Sequence, residues 1–318
     1  MCKPYLFLSY LFCFFIITAG NVSADYCEEQ ACCPTSCWMP YPLYGEVSVA
    51  YDTFRCLPEG SFVDNSGAYL SANFASPVPF LSDYGLGMQL GGSYGIYDWS
   101  GRASNPIGNP KTIQQQGFLT TGFFRTTEYC SGLNVGVVYD WMFNQRFGVF
   151  AVNPTFSQVR FKVGYLFDST DEFGFWGTTY ATSKKLTTDD IPLKFRAISQ
   201  INLFWQHYFC TGAQSMIWAG LPYTKGLMYQ GNGRRGRAGN FIIGANFNAP
   251  LNECWSVNGH AVYLRPHSAT GISESKDYGS NVSIGLTYSF GCMKACASRP
   301  YLPIADNSNF LADTNFNF

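Results

Sequence analysis

The sequence has few charged residues and very few histidines. Charged residues make up 13% of the 318 residues, the net charge is -1, and only three histidines are present. A chain so close to neutral gives no reason to expect a nucleic-acid partner. The three histidines do not have the spacing of metal ligands, so the sequence predicts no metal site, no cofactor and no enzymatic centre.

Long apolar runs are almost absent as well. The one strong run covers residues 5–17 and is shorter than the roughly 20 residues of a membrane-spanning helix. Lys3 precedes it and the small residues at 22–24 follow it, as in a cleaved signal peptide. We predict a signal peptide over residues 1–24 and export of the remainder, with an N-terminal membrane anchor as the alternative.

Two segments carry apolar residues at every second position. In residues 133–143 these are Leu, Val, Val, Tyr, Trp and Phe, and in residues 159–167 they are Val, Phe, Val, Tyr and Phe. A period of two indicates β-strands with one apolar and one polar face. A tilted strand needs about 9–11 residues to cross a bilayer. These segments therefore predict neighbouring strands of a transmembrane β-barrel.

Similar segments recur along the chain. They are residues 45–54, 67–75, 86–97, 116–126, 133–143, 159–167, 173–183, 193–209, 213–220, 240–249, 255–265 and 282–290. The fold class that they predict is all-β, a transmembrane antiparallel up-and-down β-barrel of about 12 strands, with 10 to 14 possible.

The connections between these segments alternate in length. Long ones include residues 98–115, 144–155, 184–192, 221–238 and 266–279, and short ones are 76–83, 127–132, 168–172, 210–212 and 250–254. Outer-membrane barrels have long outer loops and short periplasmic turns. We therefore expect a cysteine-rich periplasmic N-terminal segment at 25–44, the barrel at 45–291 and a C-terminal periplasmic tail at 292–318.

Ten cysteines follow the predicted signal peptide, and nine of them fall on the predicted periplasmic side, with Cys56 as the exception. The nine are Cys27, Cys32, Cys33, Cys37, Cys130, Cys210, Cys254, Cys292 and Cys296. In an exported protein such a set predicts disulfides within the chain or to neighbouring envelope proteins. A zinc site built from the N-terminal cysteines with Cys292 and Cys296 is the alternative.

Polar residues in the phase opposite to the apolar ones are expected to line the lumen. They are Asp140, Arg160, Lys162, Lys194, Arg196, Asn246 and Asn248. A polar lumen with a basic excess predicts a porin-like passive channel for small polar solutes, with a slight preference for anions. The first alternative is a structural envelope protein, in which Asp140 and Arg160 only neutralise each other inside a filled barrel. The second is an outer-membrane enzyme, although His207 fits better as an interfacial residue.

These features resemble a known group of proteins. The signal peptide, the cysteine-rich start at residues 27–37, about a dozen strands and the terminal Tyr288-Ser-Phe290 are similar to the cysteine-rich outer-membrane porins and porin-like barrels of chlamydia-type bacteria. The resemblance implies a bacterial cell outer membrane location and disulfide-linked envelope partners. The predicted barrel itself implies contact with outer-membrane lipid and small polar solutes, and its protein partners are expected to be either further copies in a homo-oligomer or disulfide-linked envelope proteins.

Overall fold

The computed structural model describes an all-β protein. The described residues are 44–55, 64–79, 81, 84–98, 113–127, 131–148, 151–167, 170–188, 190–227, 237–265, 279–290 and 300–314. Within them the strands are β1 (Tyr44–Arg55), β2 (Asp64–Pro77), β3 (Leu86–Tyr97), β4 (Gln115–Arg125), β5 (Gly132–Gln145), β6 (Thr155–Phe167), β7 (Asp171–Thr188), β8 (Ile191–Ala197), β9 (Gln200–Tyr208), β10 (Gln214–Pro222), β11 (Phe241–Pro250), β12 (Trp255–Arg265), β13 (Gly279–Ser289) and β14 (Ala312–Thr314).

Twelve of these strands form a closed antiparallel barrel. Sequential neighbours pair from β1 to β7 and from β9 to β13. The ring closes where β1 pairs with β13, with Val47 opposite Tyr288, and where β7 pairs with β9, with Phe175 opposite Leu203. The predicted fold class and the count of twelve strands are confirmed.

Side chains alternate between the outside and the inside of the barrel wall. On β5, Val137 is 48% exposed and its neighbour Val138 is 1% exposed. The outward residues of the wall include Val49, Leu70, Leu90, Phe123, Val137, Tyr165, Phe175, Leu203, Ile217, Ile243 and Ile284, all exposed. A continuous apolar outer face is what a barrel wall needs in contact with lipid.

The two ends of the barrel differ in their connections. At one end of the barrel, here called the short-turn rim, the strand ends are joined by the short connections 78–85, 126–131, 168–170, 209–213 and 251–254. The strand ends that the long connections join, such as those on either side of residues 98–114 and 223–240, lie at the other end, the long-loop rim. This is the alternation of long and short connections that the sequence predicts.

One predicted strand, 193–209, is divided in the structure. Its first part, β8, leaves the wall and pairs with the end of β7 in a hairpin, whereas its second part, β9, belongs to the barrel. Ile198 and Ser199 separate the two, and the pairing of β6 with β7 shifts register next to Ser157. A β-bulge bends a strand and increases its local twist. Leu193 and Phe195 are consequently buried, although the sequence pattern predicts that they face outward.

Residues 300–314 lie inside the barrel, and we call them the C-terminal plug. Leu302, Ala305, Asn307 and Phe310 are each 2% exposed or less. The sequence predicts a tail outside the barrel for residues 292–318, and the described part of that segment departs from the prediction. A backbone that enters a barrel must satisfy its polar groups there, and the plug does so through contacts with the wall that are described below.

Several predicted features fall outside the described residues. They are the signal peptide at 1–24, the cysteine-rich segment at 25–43, most of the longest loops, residues 291–299 and residues 315–318. Within the described part of the chain, no helix has the length and apolar character needed to cross a membrane.

Candidate functional site

The centre of the barrel interior is an ion pair between adjacent strands. Arg160 on β6 and Asp140 on β5 are 2% and 0% exposed, and Arg160 Nε lies 3.0 Å from Asp140 Oδ2. The same carboxylate accepts hydrogen bonds from Thr120 at 2.7 Å and Gln158 at 3.0 Å. Arg160 Nη2 also donates to the carbonyl oxygen of Pro303 at 2.7 Å. The pair thus neutralises its own charge and holds the plug.

A second buried polar group lies between β1 and the plug. The side-chain amide of Asn307 donates to Asp52 Oδ2 at 2.9 Å, to the hydroxyl of Tyr97 at 3.1 Å and to Gln116 Oε1 at 3.1 Å. Asn281 Nδ2 donates to the other oxygen of Asp52 at 2.6 Å. These contacts tie the plug to β1, β3 and β4 at once.

The plug begins near the short-turn rim, beside Glu172. The hydroxyl of Tyr301 donates to Glu172 Oε1, and that of Tyr208 donates to Oε2 at 2.7 Å. Burial, together with the charge of Glu172, raises the pKa of Tyr301, so this hydroxyl remains a donor. Lys162 Nζ lies 4.2 Å from the centre of the Tyr301 ring and 2.9 Å from Gln206 Oε1.

The plug ends near the long-loop rim in an apolar cluster that we call the mouth cluster. Its buried members are Phe118, Met142, Phe147, Phe156, Leu193, Phe195, Ala197, Ala305, Phe310 and Ala312. The Phe310 ring centre lies 5.5 Å from that of Phe156. A second apolar cluster, which includes Trp176, Trp218 and Ile242, also points inward. The interior is therefore less polar than the sequence predicts.

Two predicted lumen residues lie on β8 instead of the barrel wall. Arg196 Nε lies 3.2 Å from Asp313 Oδ2 of the plug, and Arg196 Nη2 donates to the Lys225 carbonyl oxygen. Lys194 is half-buried on the same strand. β14 of the plug pairs with β8, with Ala312 opposite Ala197. Arg196 thus anchors the plug to the hairpin that covers the mouth.

The remaining predicted lumen residues lie on β11. Asn246 stands opposite His260, whose Nδ1 lies 3.6 Å from Asp306 Oδ2 of the plug. Residues paired across neighbouring strands share a face, so Asn246 faces the interior. Asn248, two residues further along the strand, has the same direction. Both asparagines are half-buried.

Of the predicted disulfide candidates, only Cys210 and Cys254 are described. Cys210 lies in the turn between β9 and β10, and Cys254 immediately precedes β12. Both therefore lie at the short-turn rim, on the side where the sequence groups nine cysteines. The disulfides themselves stay a prediction. Among the described residues, no group of three or more histidines, cysteines or carboxylates is arranged to hold a metal ion.

Sequence reasoning missed the plug and the wall residues that receive it. Asp52, Glu172 and Tyr97 stand in the inward phase of their strands, but nothing local distinguishes them from other lumen positions. The apolar residues of the tail were a usable signal of its burial. A segment that contains Leu302, Phe310 and Leu311 is more apolar than one expects of a solvated tail.

Solved structures with a similar fold are outer-membrane barrels. Outer membrane phospholipase A from Escherichia coli is 10% identical, with a TM-score of 0.41, and 78% of this chain and 97% of that chain are covered. A Pseudomonas aeruginosa FadL homologue is 10% identical, with a TM-score of 0.44 and coverage of 78% and 90%. The beta domain of the Bordetella autotransporter BrkA is 12% identical, with a TM-score of 0.37 and coverage of 79% and 100%. These similarities concern the fold alone.

No curated protein matches the chain. A family model does match residues 51–312, and its description is "Family of unknown function (DUF6666)". The matched region runs from within β1 to the first residue of β14, so it takes in the last part of β1, the other eleven wall strands and most of the plug. The chain belongs to this family of unknown function, DUF6666.

Proposed function

We propose that this protein is a bacterial outer-membrane β-barrel that its own C-terminal plug keeps closed, and that it serves as a structural component of the cell envelope. The observation that carries the proposal is the path of residues 300–314. They extend from Glu172 near the short-turn rim to the mouth cluster near the long-loop rim, with contacts to opposite walls on the way.

The outer face supports the membrane location. Aromatic side chains follow one another at the short-turn rim, where the rings of Phe167 and Phe173 lie 6.0 Å apart and those of Phe173 and Trp205 6.1 Å apart. Trp255 and Tyr288 make a similar pair at 5.0 Å. Outer-membrane barrels carry such aromatic belts where the lipid meets water.

The charges of the interior support closure over conduction. Arg160 is one of the cations expected to favour anions, but Asp140 neutralises it and its Nη2 also donates to the Pro303 carbonyl oxygen. Lys162 is 7% exposed and lies against the rings of Phe204 and Tyr301. Charges that line a pore set its ion selectivity at close range. Because neither side chain presents its charge to an open path, neither is placed to select ions.

Conductance in a planar lipid bilayer tests the proposal. The full chain is expected to insert without opening a steady pore, whereas a variant that lacks residues 291–318 is expected to conduct. A full chain with steady open-pore conductance would contradict the proposal. If the shortened variant does not insert, Phe310→Ala in the full chain provides the second comparison, because it loosens the plug at the mouth and leaves the wall intact.

A passive channel for small polar solutes is the second candidate. Asn246, Asn248 and Asn258 face the interior on β11 and β12, and all three are only half-buried. A path for a small solute would pass along this side of the plug. Under this alternative the full chain conducts, and Asn246→Trp narrows the path and lowers its conductance. The same substitution changes nothing in a closed barrel.

The envelope role also draws on the short-turn rim. Cys210 and Cys254 share this rim, and an oxidising compartment favours disulfides among the cysteines of an exported protein. Links to neighbouring chains, as in the cysteine-rich barrels of chlamydia-type bacteria, would join these barrels into a layer. Electrophoresis of intact envelopes without reductant should then give bands larger than one chain, which collapse to one chain when reductant is added.

A further inference from the structure

Three polar residues stand in one row across neighbouring strands at the short-turn rim. Asp171 is the first residue of β7, His207 is the next to last residue of β9 and Ser215 is the second residue of β10. The pairing of β7 with β9 sets Asp171 opposite His207, and the pairing of β9 with β10 sets Ser215 opposite His207. Strand register therefore brings a carboxylate, an imidazole and a hydroxyl together in that order.

All three side chains are on the outer face of the wall. Phe173, Trp205 and Ile217, two residues away on the respective strands, are between 42% and 51% exposed. Residues two apart on a strand share a face. The side chains of His207 and Asp171 are themselves 32% and 31% exposed. The row is thus accessible from the lipid side of the barrel.

Hydrogen bonds hold the carboxylate towards the imidazole. His207 Nδ1 lies 2.9 Å from Asp171 Oδ1, and Trp205 Nε1 donates to the same oxygen at 2.7 Å. Thr170 Oγ1 donates to Asp171 Oδ2 at 2.9 Å. With Nδ1 next to the carboxylate, Nε2 lies on the far edge of the ring. A histidine oriented in this way by a carboxylate can act as a general base through Nε2.

Ser215 stands within reach of that base. Directly opposed residues on antiparallel strands have Cβ atoms about 4.5–5.5 Å apart. Rotation about the single side-chain bond of an exposed serine is fast. The register therefore places the Ser215 side chain next to the imidazole of His207 on the outer face.

We propose that Asp171, His207 and Ser215 form a lipid-facing hydrolytic site for the acyl esters of glycerophospholipids. Ser215 Oγ attacks the ester carbonyl carbon and gives its proton to His207. The bond from that carbon to the lipid alcohol oxygen breaks, and His207 returns the proton to this oxygen. Water then attacks the acyl-serine in the same way and releases a fatty acid. In total, one ester and one water give one fatty acid and one lysophospholipid.

The position of the row favours phospholipid esters as the substrate. This inference rests on the proposed membrane location. The rings of His207 and Phe209 lie 4.5 Å apart, so the row belongs to the aromatic belt of the short-turn rim. Aromatic belts lie at the level of the lipid headgroups. The ester carbonyls of a glycerophospholipid lie next to the headgroup, so a belt at that level would bring them to the row.

The test uses the full chain in detergent micelles that contain phosphatidylethanolamine. A fluorophosphonate probe, which bonds to activated serines with loss of fluoride, is expected to label Ser215, and fatty acid should be released. Ser215→Ala and His207→Ala should each lower hydrolysis by about 10²-fold or more and prevent labelling. Asp171 is a positioning residue, so Asp171→Ala should lower the rate and Asp171→Glu should restore much of it.

Ser76→Ala is the matched control. Ser76 stands opposite the exposed Met88 near the same rim, but on the β2–β3 side of the barrel, away from His207. Its substitution should leave labelling and hydrolysis unchanged. Absence of label on Ser215 together with hydrolysis equal to that of Ser215→Ala would overturn the inference. Since these readouts do not involve conductance, their failure is distinct from a failure of the closed-barrel proposal.

Discussion

Asn307 donates a hydrogen bond to Asp52 Oδ2 at 2.9 Å, although the two residues are 255 positions apart in the chain. Each is 1% exposed. The bond joins the first strand of the barrel to the C-terminal plug, and its loss would leave buried polar groups with fewer partners. The plug is thus held by contacts that are costly to break one at a time.

Replacement of Asn307 by alanine should loosen the plug. Asp52, Tyr97 and Gln116 each lose a buried partner, and an unsatisfied buried polar group costs about 1–3 kcal/mol. Amide hydrogen exchange in residues 300–314 should become faster while exchange in the wall strands stays slow. Pro303→Ala is the control, since Pro303 is exposed and alanine keeps the carbonyl that Arg160 binds. Equal exchange in both variants would contradict the role of Asn307.

Arg160→Ala should destabilise the whole barrel. It leaves the Asp140 carboxylate buried without its cation, and a broken buried pair typically costs about 3–5 kcal/mol. Tryptophan fluorescence during urea unfolding in lipid vesicles measures the loss. The exposed Lys184 offers a control, for which Lys184→Ala should change stability by less than about 0.5 kcal/mol.

The double variant Asp140→Leu/Arg160→Met separates charge from packing. Replacement of a buried pair by apolar residues of similar size is often neutral, so the double variant should be more stable than Arg160→Ala alone. A double variant less stable than the single one would indicate that Arg160 acts mainly through Pro303 and the plug.

Neighbouring residues on β6 should respond differently to lipid-soluble quenchers. Val163 points outward and Lys162 is buried inside, next to Tyr301. A fluorophore attached at position 163 should be quenched by brominated lipid, and one at position 162 should not. This follows because a cation on the lipid face at the bilayer centre would cost about 2–4 kcal/mol. The reverse pattern would invert the assignment of the two faces.

The cysteines of the short-turn rim should be oxidised in intact envelopes. Peptide mapping without reductant should join Cys27, Cys32, Cys33 or Cys37 to Cys292, Cys296 or a turn cysteine such as Cys210 or Cys254. A link from the N-terminal segment to the tail would close a loop of roughly 250 residues, for which chain-entropy models give about 5 kcal/mol. Complete alkylation of these thiols without reductant, or a bridge from Cys56 to Cys254, would exclude this arrangement.

The barrel wall could be predicted from the sequence because strand alternation is a local property. A membrane-facing wall needs apolar residues at every second position, as in 133–143, whatever the rest of the chain does. Turn and loop lengths are local as well. The twelve strands and the two kinds of rim therefore followed from patterns only a few residues long.

The contents of the barrel depended on contacts between distant parts of the chain. Asp140 and Arg160 face inward whether the lumen is open or filled. Only the position of Pro303 distinguishes a filled lumen from an open one. Leu193 and Phe195 leave the predicted lipid face and join the mouth cluster with Phe310, which lies more than a hundred residues later. The row of Asp171, His207 and Ser215 likewise exists only through the register of three strands. Pattern thus determined which residues face lipid, whereas long-range packing decided what fills the barrel and which polar groups meet.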